Sequence, residues 1–364
     1  MTSIKVYIGL GSNLGDRFSN IQTAAAKLAA LDGVESLRLS TIIETQPLAS
    51  MAQPPYLNAV AEIVTSLDCP ALLAACKQIE KDLDRRQGPK WSPRIIDLDI
   101  LIAGHEIIES AELTVPHKQF HLRTFALAGI CEFDASLVHP VLGETVKVLA
   151  DRLDGSDFYI DPNVPQLISI AGIIGVGKTT LAQRLSAVLN CPHLKEPYEN
   201  NPFLPKVYQG RKEFALDSQL YFLTQRVKQL TRSNLAAGKI FVSDYIFENE
   251  LIYAKQFLIA EQLSLYNDIY AAFAGKVTNP VLVIFMKDSC ENCLARIHKR
   301  NRPYEQDIKI DLLHSIEKGY EELFAKWDKS PVIKLDVSKF DCTQDIDLKQ
   351  LTKQIKAYIA VKSW

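Results

Sequence analysis

The chain has 364 residues, 47% hydrophobic and 23% charged, with 41 Lys and Arg nearly matched by 43 Asp and Glu for a formal net charge of −2. That length suits two cores of ordinary size, and the charge balance removes the electrostatic case for a nucleic-acid or membrane surface. No apolar run approaches the roughly 18–20 residues that span a bilayer, the opening MTSIKVYIGLGSN lacks the pattern of a secretion signal, and the seven thinly spread cysteines are expected as reduced thiols in the cytoplasm.

In chain order, the first half offers strand-like runs at KVYIGLG, LRLSTIIETQ, YLNAVAEIVTS and RIIDLDILIAG. Helical periodicity falls between them near Phe18–Leu31 and Pro70–Arg86. This order predicts helices layered on one mostly antiparallel sheet, an α+β arrangement. The pattern breaks at DGSDFYIDPNVPQ, Asp154–Gln166, where turn formers interrupt the apolar runs. Beyond it, the continuous apolar strands LISIA, KIFVSDY and VLVIFMK alternate with long helices, the pattern of a buried parallel sheet in an α/β domain. The sequence thus predicts domains at 1–157 and 166–364 joined by a linker at 158–165, with no internal repeat.

The second half opens on ISIAGIIGVGKTTLA, where Gly172, Gly175, Gly177, Lys178 and Thr179 satisfy G-x-x-x-x-G-K-[ST] between a predicted strand and helix. Glycines let backbone amides close around phosphate oxygens; Lys178 supplies a point charge and Thr179, with Thr180 beside it, a hydroxyl toward Mg²⁺. No NKxD motif of a GTPase is present, and the run KIFVSDY offers Asp244 where a metal-side carboxylate would sit. In the first half, period-2 alternation puts Ile96, Leu98, Ile100 and Ile102 on one strand face and Asp97 and Asp99 on the other. Like charges so placed repel. The strand is therefore either a plain solvent-facing edge or a holder of one or two Mg²⁺ for phosphoryl chemistry. Trp91, Arg94 and the cluster TVPHKQFHLRTF add a stacking surface and phosphate-binding cations. Two metal-like spacings lack completing ligands: His117 with His121, and the lone pair Cys290 and Cys293, which is expected simply to open a helix.

The segments KEPYENNPFLPKVYQG, FALDSQLYFLTQRVKQL and CLARIHKRNRPYEQ resemble the deoxyribonucleoside kinase family in order and spacing over 166–364. The resemblance implies an α/β P-loop kinase with a parallel sheet and a helical lid, using ATP and Mg²⁺. It implies Glu196 as general base for the sugar 5′-hydroxyl, and Tyr208 and Glu305 at the 3′-hydroxyl. Gln219 would read the nucleobase, Arg226 would line the base pocket, and Arg296, Arg300 and Arg302 would form the lid over the transferring phosphate. The chain departs from the family where an acidic-arginine-serine triplet is common: it has Ser243-Asp244-Tyr245, without the arginine. Asn249 stands where Asp is frequent.

GLGSNLGD, TQPL, YLNA, WSPRIIDLDIL and TVPHKQFHLRTF stand in the order seen in 6-hydroxymethyl-7,8-dihydropterin pyrophosphokinases, covering about 1–155. That resemblance implies a ferredoxin-like α+β sandwich in which Asp97 and Asp99 bind two Mg²⁺ bridging ATP and the pterin. Thr45, Pro47, Leu48, Tyr56 and Asn58 match the pterin pocket, with Phe125 stacking on the ring. Glu80, Arg85, Arg94, His117 and Arg123 match residues holding ATP or its phosphates. The loop EKDLDRRQGPKW lacks a clear second arginine, for which Arg86 or Lys90 would substitute, and Lys118 stands where an aromatic residue is frequent.

The leading expectation is a bifunctional enzyme, a pterin pyrophosphokinase of folate synthesis fused to a deoxyribonucleoside kinase of nucleotide salvage. The alternatives keep one half as a binding or dimerising module, or make the chain an ATP-binding sensor. A homodimer is implied by relatives of the second half, with small-molecule substrates and no nucleic-acid or membrane partner. The preferred deoxynucleoside is not readable.

Overall fold

A computed structural model describes residues 3–48, 53–85 and 92–360. Arg86, Lys90 and Trp91 therefore lie outside the described residues. The chain divides into two compact units, Met1–Tyr159 and Ile160–Trp364.

The first unit runs β1 (Ile4–Ser12), α1 (Arg17–Ala29), β2 (Val34–Leu39), β3 (Ile43–Thr45), β4 (Tyr56–Thr65), α2 (Cys69–Asp82), β5 (Asp97–Ala103), β6 (Ile108–Glu109), β7 (Thr114–Val115), α3 (Thr124–Asp134) and α4 (Val146–Leu153). The main sheet has the order β2-β4-β1-β5 with β3 added to β4, and its pairings are antiparallel. Val6, Ile8 and Leu10 of β1 turn to one face with Leu98 and Ile100 of β5, and there Ile21, Leu28, Leu72 and Ile79 of α1 and α2 close the core. Alternation does the sorting, because successive side chains point to opposite faces. On the other face α3 packs against β4 and α4 against α3.

One predicted strand, LRLSTIIETQ, is two. The Ser40 hydroxyl accepts from the Val60 amide at 2.9 Å, while the Ser40 amide donates to the Val60 carbonyl at 2.9 Å. A side chain thus replaces one main-chain acceptor in the ladder, and β2 ends at Leu39. RIIDLDILIAG likewise pairs only from Asp97. Its first residues are held by asparagines instead: the Arg94 amide donates to Asn13 Oδ1 at 2.7 Å, and Asn20 Nδ2 to the Ile95 carbonyl at 3.2 Å.

The second unit runs β8 (Gln166–Ala171), α5 (Lys178–Leu189), β9 (His193–Leu194), α6 (Leu204–Tyr208), α7 (Ala215–Leu230), β10 (Ile240–Ser243), α8 (Asn249–Phe257), α9 (Ala260–Ala274), β11 (Leu282–Lys287), α10 (Cys290–Lys299), α11 (Ile310–Phe324), β12 (Val332–Asp336) and α12 (Asp345–Lys356). Its five strands are parallel in the order β12-β11-β8-β10-β9. Every residue of β8 is buried, as helices on both faces of a parallel sheet require. Ser243 ends β10, so Asp244 emerges at the carboxyl edge of the sheet beside the loop between β8 and α5, where open α/β sheets bind ligands. Cys290 is the first residue of α10, capped by the Ser289 hydroxyl.

Candidate functional site

Each unit carries a cavity at the edge its sheet leaves open. In the first unit a cavity of about 420 Å³ is lined by Pro47, Leu48, Tyr56, Asn58, Arg85, Arg94, Asp97, Asp99, His117, Arg123 and Phe125. Its floor follows from strand register. Gly11 of β1 pairs with Asn58 on one side and Asp97 on the other, and Gly9 pairs with Asp99. The central strand therefore contributes no side chain between the amide and the two carboxylates; a Cβ on Gly11 would stand 2.8 Å from Asn58 Oδ1.

Asn58 Nδ2 donates to Thr45 Oγ1 at 2.7 Å, which orients the amide and leaves its oxygen toward the cavity floor. Thr45 acts from behind and does not line the cavity. Glu80 is also behind: its carboxylate accepts from the Leu98 amide at 2.8 Å and pairs with Arg85. Burial raises the Glu80 pKa, and the Leu98 amide and Arg85 oppose it. Arg85 and Arg94 both reach Asp97, at 2.7 and 2.6 Å. Burial works against the charge on Arg94, yet Asp97 outweighs it and holds the guanidinium above its ordinary pKa. Asp99 is paired in this way with no arginine or lysine among the described residues. It is open to water at the cavity floor yet crowded by protein atoms, and that desolvation, with Asp97 next, raises its pKa against the pull of His117, Arg85 and Arg94. Arg123 lies with Cζ 5.6 Å from the Phe125 ring centroid. His117 lines the cavity, whereas His121 is buried edge-on to His139 with ring centroids 6.2 Å apart, so the two do not share a centre.

In the second unit a cavity of about 540 Å³ is lined by Gly175, Gly177, Lys178, Thr179, Thr180, Glu196, Tyr208, Gln219, Arg226, Arg296, Arg300, Arg302 and Glu305. Gly172 stands just behind, its carbonyl accepting from Lys178 Nζ at 2.8 Å. Gly175 has φ +84°, and a Cβ there would lie 2.5 Å from the Cys293 carbonyl oxygen. Only glycine lets the loop meet α10 this closely, and Arg296 Nη1 donates to the Gly175 carbonyl at 3.2 Å across the same contact. Burial lowers the Lys178 pKa, opposed by Glu196 and Asp244.

Asp244 accepts from Thr179 Oγ1 at 2.6 Å and from the Glu196 amide at 2.7 Å. Burial disfavours its charge, but nearby His193 and these two donors outweigh it and hold the pKa below the ordinary aspartate value. Asp244 is thus the one acid of the divergent triplet Ser243-Asp244-Tyr245. Arg226, 3% exposed, pairs with Glu196 through Nη2 and with Glu250 through Nη1, its Cζ 5.3 Å from the Tyr245 ring centroid. Burial opposes its charge, and Glu250 and Glu196 more than compensate, raising its pKa. Glu250 itself is raised by burial against Arg226. Glu250, not Asn249, faces Arg226; Asn249 is buried and accepts from Tyr320 Oη at 2.6 Å.

The arginines between α10 and α11 converge on one acid. Arg300 Nε donates to Glu305 at 2.6 Å and Arg302 Nη1 at 3.2 Å, while Arg302 Nη2 donates to Tyr198 Oη at 2.6 Å. Sequence reasoning did not assign Tyr198, Glu250 or Tyr253, the last of which also lines this cavity, nor Gly9, Gly11 and Asn13 from the quoted GLGSN. The last three carried a signal, a glycine alternation beside a predicted carboxylate strand. Glu250 carried none, because its meaning depends on an Arg 24 residues earlier.

A family model described as deoxynucleoside kinase matches residues 168–360, and one described as 7,8-dihydro-6-hydroxymethylpterin-pyrophosphokinase matches residues 7–135. The deoxyguanosine kinase of Bacillus subtilis is 36% identical over 44% of this chain and 78% of its own length. The 2-amino-4-hydroxy-6-hydroxymethyldihydropteridine pyrophosphokinase of Haemophilus influenzae is 36% identical over 41% of this chain and 95% of its own. The folic acid synthesis protein fol1 of Schizosaccharomyces pombe is 34% identical over 48% of this chain, which spans 24% of that protein. A solved structure of deoxyadenosine kinase from M. mycoides with bound dATP, 25% identical, matches 52% of this chain and 98% of its own with a TM-score of 0.45. Relatives matched over most of their length on either side of the division mean that the chain belongs to two families, the hydroxymethylpterin pyrophosphokinases through its first unit and the deoxynucleoside kinases through its second.

Proposed function

We propose that the chain is a bifunctional kinase. Its first unit transfers pyrophosphate from ATP to 6-hydroxymethyl-7,8-dihydropterin, a step of folate biosynthesis, and its second transfers the γ-phosphate of ATP to the 5′-hydroxyl of a deoxyribonucleoside, a step of nucleotide salvage. The observation that carries this reading is that each unit gathers, in one cavity of its own, carboxylates facing a set of phosphate-binding cations.

In the first cavity Pro47, Leu48, Tyr56 and Phe125 sandwich the pterin, and Asn58, set by Thr45, accepts from its N–H edge. Arg85, Arg94, His117 and Arg123 hold the triphosphate, with Glu80 steadying Arg85. Two carboxylates side by side, one with a raised pKa, are a hard-oxygen donor set that suits Mg²⁺, and Asp97 and Asp99 would hold it. Bound there, it offsets phosphate charge. The hydroxymethyl O–H loses its proton to water as its oxygen bonds to the β-phosphorus, the bond from that phosphorus to the oxygen bridging it to the α-phosphorus breaks, and AMP leaves with that oxygen; positioning supplies most of the acceleration.

In the second cavity Glu196 takes the 5′-hydroxyl proton as that oxygen bonds to the γ-phosphorus and ADP leaves. Arg226 keeps the Glu196 carboxylate aimed. Gly172, Gly175 and Gly177 shape the P-loop, Lys178 and Thr180 meet phosphate, and Thr179 would hold Mg²⁺ beside Asp244. Arg296, Arg300 and Arg302 neutralise the transferring phosphoryl. Tyr208 and Glu305 take the 3′-hydroxyl and Gln219 the base.

We further read the first unit's strand order as a ferredoxin-like sandwich, and 158–165 as the linker between domains 1–157 and 166–364. A homodimer through α9 is supported by that helix burying only Tyr266 and leaving Leu265 52% exposed. No described helix is long and apolar enough to cross a membrane, and the seven cysteines are free; the proposed substrates of both units are small molecules.

The test is product identity. With Mg·ATP, hydroxymethyl-dihydropterin should yield AMP and a deoxynucleoside ADP. Asp97→Ala should lower AMP formation by about 10²-fold or more and spare ADP formation, while Lys178→Ala should do the reverse. Loss of both activities in either folded variant would overturn the two-site reading.

A further inference from the structure

The pair Cys290 and Cys293 is left over from the nucleotide chemistry. Both thiols are buried and free, yet the two serve different neighbours. Cys293 belongs to the glycine-loop packing: its carbonyl oxygen meets Gly175, and its Sγ is 3.8 Å from Arg296 Nη1. Cys290 turns instead to α11. Its Sγ lies 3.5 Å from Glu317 Oε2, and His314 Nδ1 lies 3.8 Å from the same oxygen. His314 and Glu317 are three residues apart on a helix and so share a surface. One sulfur, one nitrogen and one oxygen of these residues all lie within 4.8 Å of one another.

We propose that Cys290, His314 and Glu317 form a binding site for a zinc-class divalent ion, separate from both phosphoryl-transfer cavities. The geometry suits that ion. With metal–sulfur bonds of about 2.3 Å and metal–nitrogen or –oxygen bonds of about 2.0–2.2 Å, the edges of a tetrahedron come to roughly 3.3–3.7 Å. The sulfur–oxygen separation of 3.5 Å falls in that range, and the nitrogen–oxygen separation of 3.8 Å is slightly longer, so an ion would draw the ligands a little closer. The donor set is mixed thiolate, imidazole and carboxylate, which favours zinc over magnesium, whose octahedral shell is built from oxygens. Side-chain exposures of 53% for His314 and 30% for Glu317 leave the ion a path in and room for water as fourth ligand. On binding, the Cys290 S–H bond breaks, its proton goes to solvent and the sulfur–metal bond forms, with no change of oxidation state. The ion would tie α11 to the first residue of α10, the helix that carries Arg296. The sequence pattern C-x-x-C alone could not disclose this, because only one of the two cysteines takes part.

The full-length chain, stripped with a chelator, reloaded with Zn²⁺ and desalted, is expected to retain about one zinc per chain by mass spectrometry. Co²⁺ in its place should give a thiolate-to-cobalt charge-transfer band. Cys290→Ser and His314→Ala should each lower zinc retention at least tenfold and abolish the band, whereas Cys191→Ser, which removes a thiol outside the cluster, should keep both. His314 is half-exposed, so its variant tests the site without emptying a core position. A wild-type chain that retains no zinc, or equal retention by His314→Ala, would overturn the proposal.

Discussion

Asp244 shows how much a single carboxylate can do in the second unit. Its two oxygens are spent on Thr179 and on the Glu196 amide, so it links the residue at the foot of α5 to the backbone of the proposed base. Asp244→Asn keeps the size but replaces one acceptor by an NH₂ donor. Thr179 can rotate its hydroxyl to accept from that NH₂, so the amide oxygen stays on the Glu196 N–H, and what is lost is the negative charge that strengthened both bonds. A charge-assisted bond of this kind is worth about 1.5–3 kcal/mol, so kcat/KM for ADP formation should fall roughly 10- to 150-fold while AMP formation is unchanged. The sign of the pH effect follows from the lowered pKa. The stability from a depressed carboxylate is fully present above its unfolded value of about 4 and is lost as pH falls through the folded one. The ratio of variant to wild-type ADP formation should therefore be flat from about pH 5 to 8, and a ratio that climbs within that range would show Asp244 titrating there. Residue positions fixed by a local pattern, such as Lys178 after its glycines or Asp97 and Asp99 on one strand face, were legible in the sequence. Partners across the chain were not: Arg226 with Glu250 and Glu196, or Asn13 under Arg94, become visible only when the chain folds.

At the scale of elements, α3 sets how the second face of the first sheet is closed. Gly129 on α3 lies so close to β4 that an added Cβ would stand 2.6 Å from Val60 Cγ2 and 3.1 Å from Ser40 Oγ. Two effects of Gly129→Ala oppose each other. Helix propensity gains about 1 kcal/mol, and overpacking costs about 1–3 kcal/mol. Val60 is fully buried and β-branched, with little freedom at χ1 to retreat, so overpacking wins. The first unit should lose about 1 kcal/mol and melt roughly 2–4 °C lower; a rise in Tm would mean that the helix term decides. The same element shows where pattern reading stops. TFALAGICEFD is apolar along most of its length, with no polar stripe to reveal a helical period, because α3 packs on β4 and on α4 together. The long strands, alternating or continuously apolar, were legible, whereas β9, two residues long, and the half-exposed edge strand β12 offered too little pattern.

At the scale of the whole molecule, the break in composition at Asp154–Gln166 was visible because turn formers punctuate two different kinds of apolar pattern, one alternating and one continuous. Each unit has its own buried cluster, one built on β1, α1, α2 and β5, the other on α7, α8 and α9 with Leu167 and Phe241. Separate cores mean that unfolding need not be a single two-state event. Calorimetry of the intact chain should resolve two transitions, and ligands should move them selectively. A ligand at 100 times its Kd stabilises the state it binds by about 2.7 kcal/mol, which for a unit of this size corresponds to roughly 5–11 °C. A deoxynucleoside should raise the transition of the second unit by that amount and leave the other in place, and a pterin substrate with a non-hydrolysable ATP analogue should do the converse. Because Asp97→Ala removes a carboxylate from the first cavity alone, it should change the pterin-dependent shift and not the nucleoside-dependent one. A single transition raised equally by either ligand would mean that the two halves unfold as one cooperative body, and the prediction of separate unfolding would then have to be abandoned.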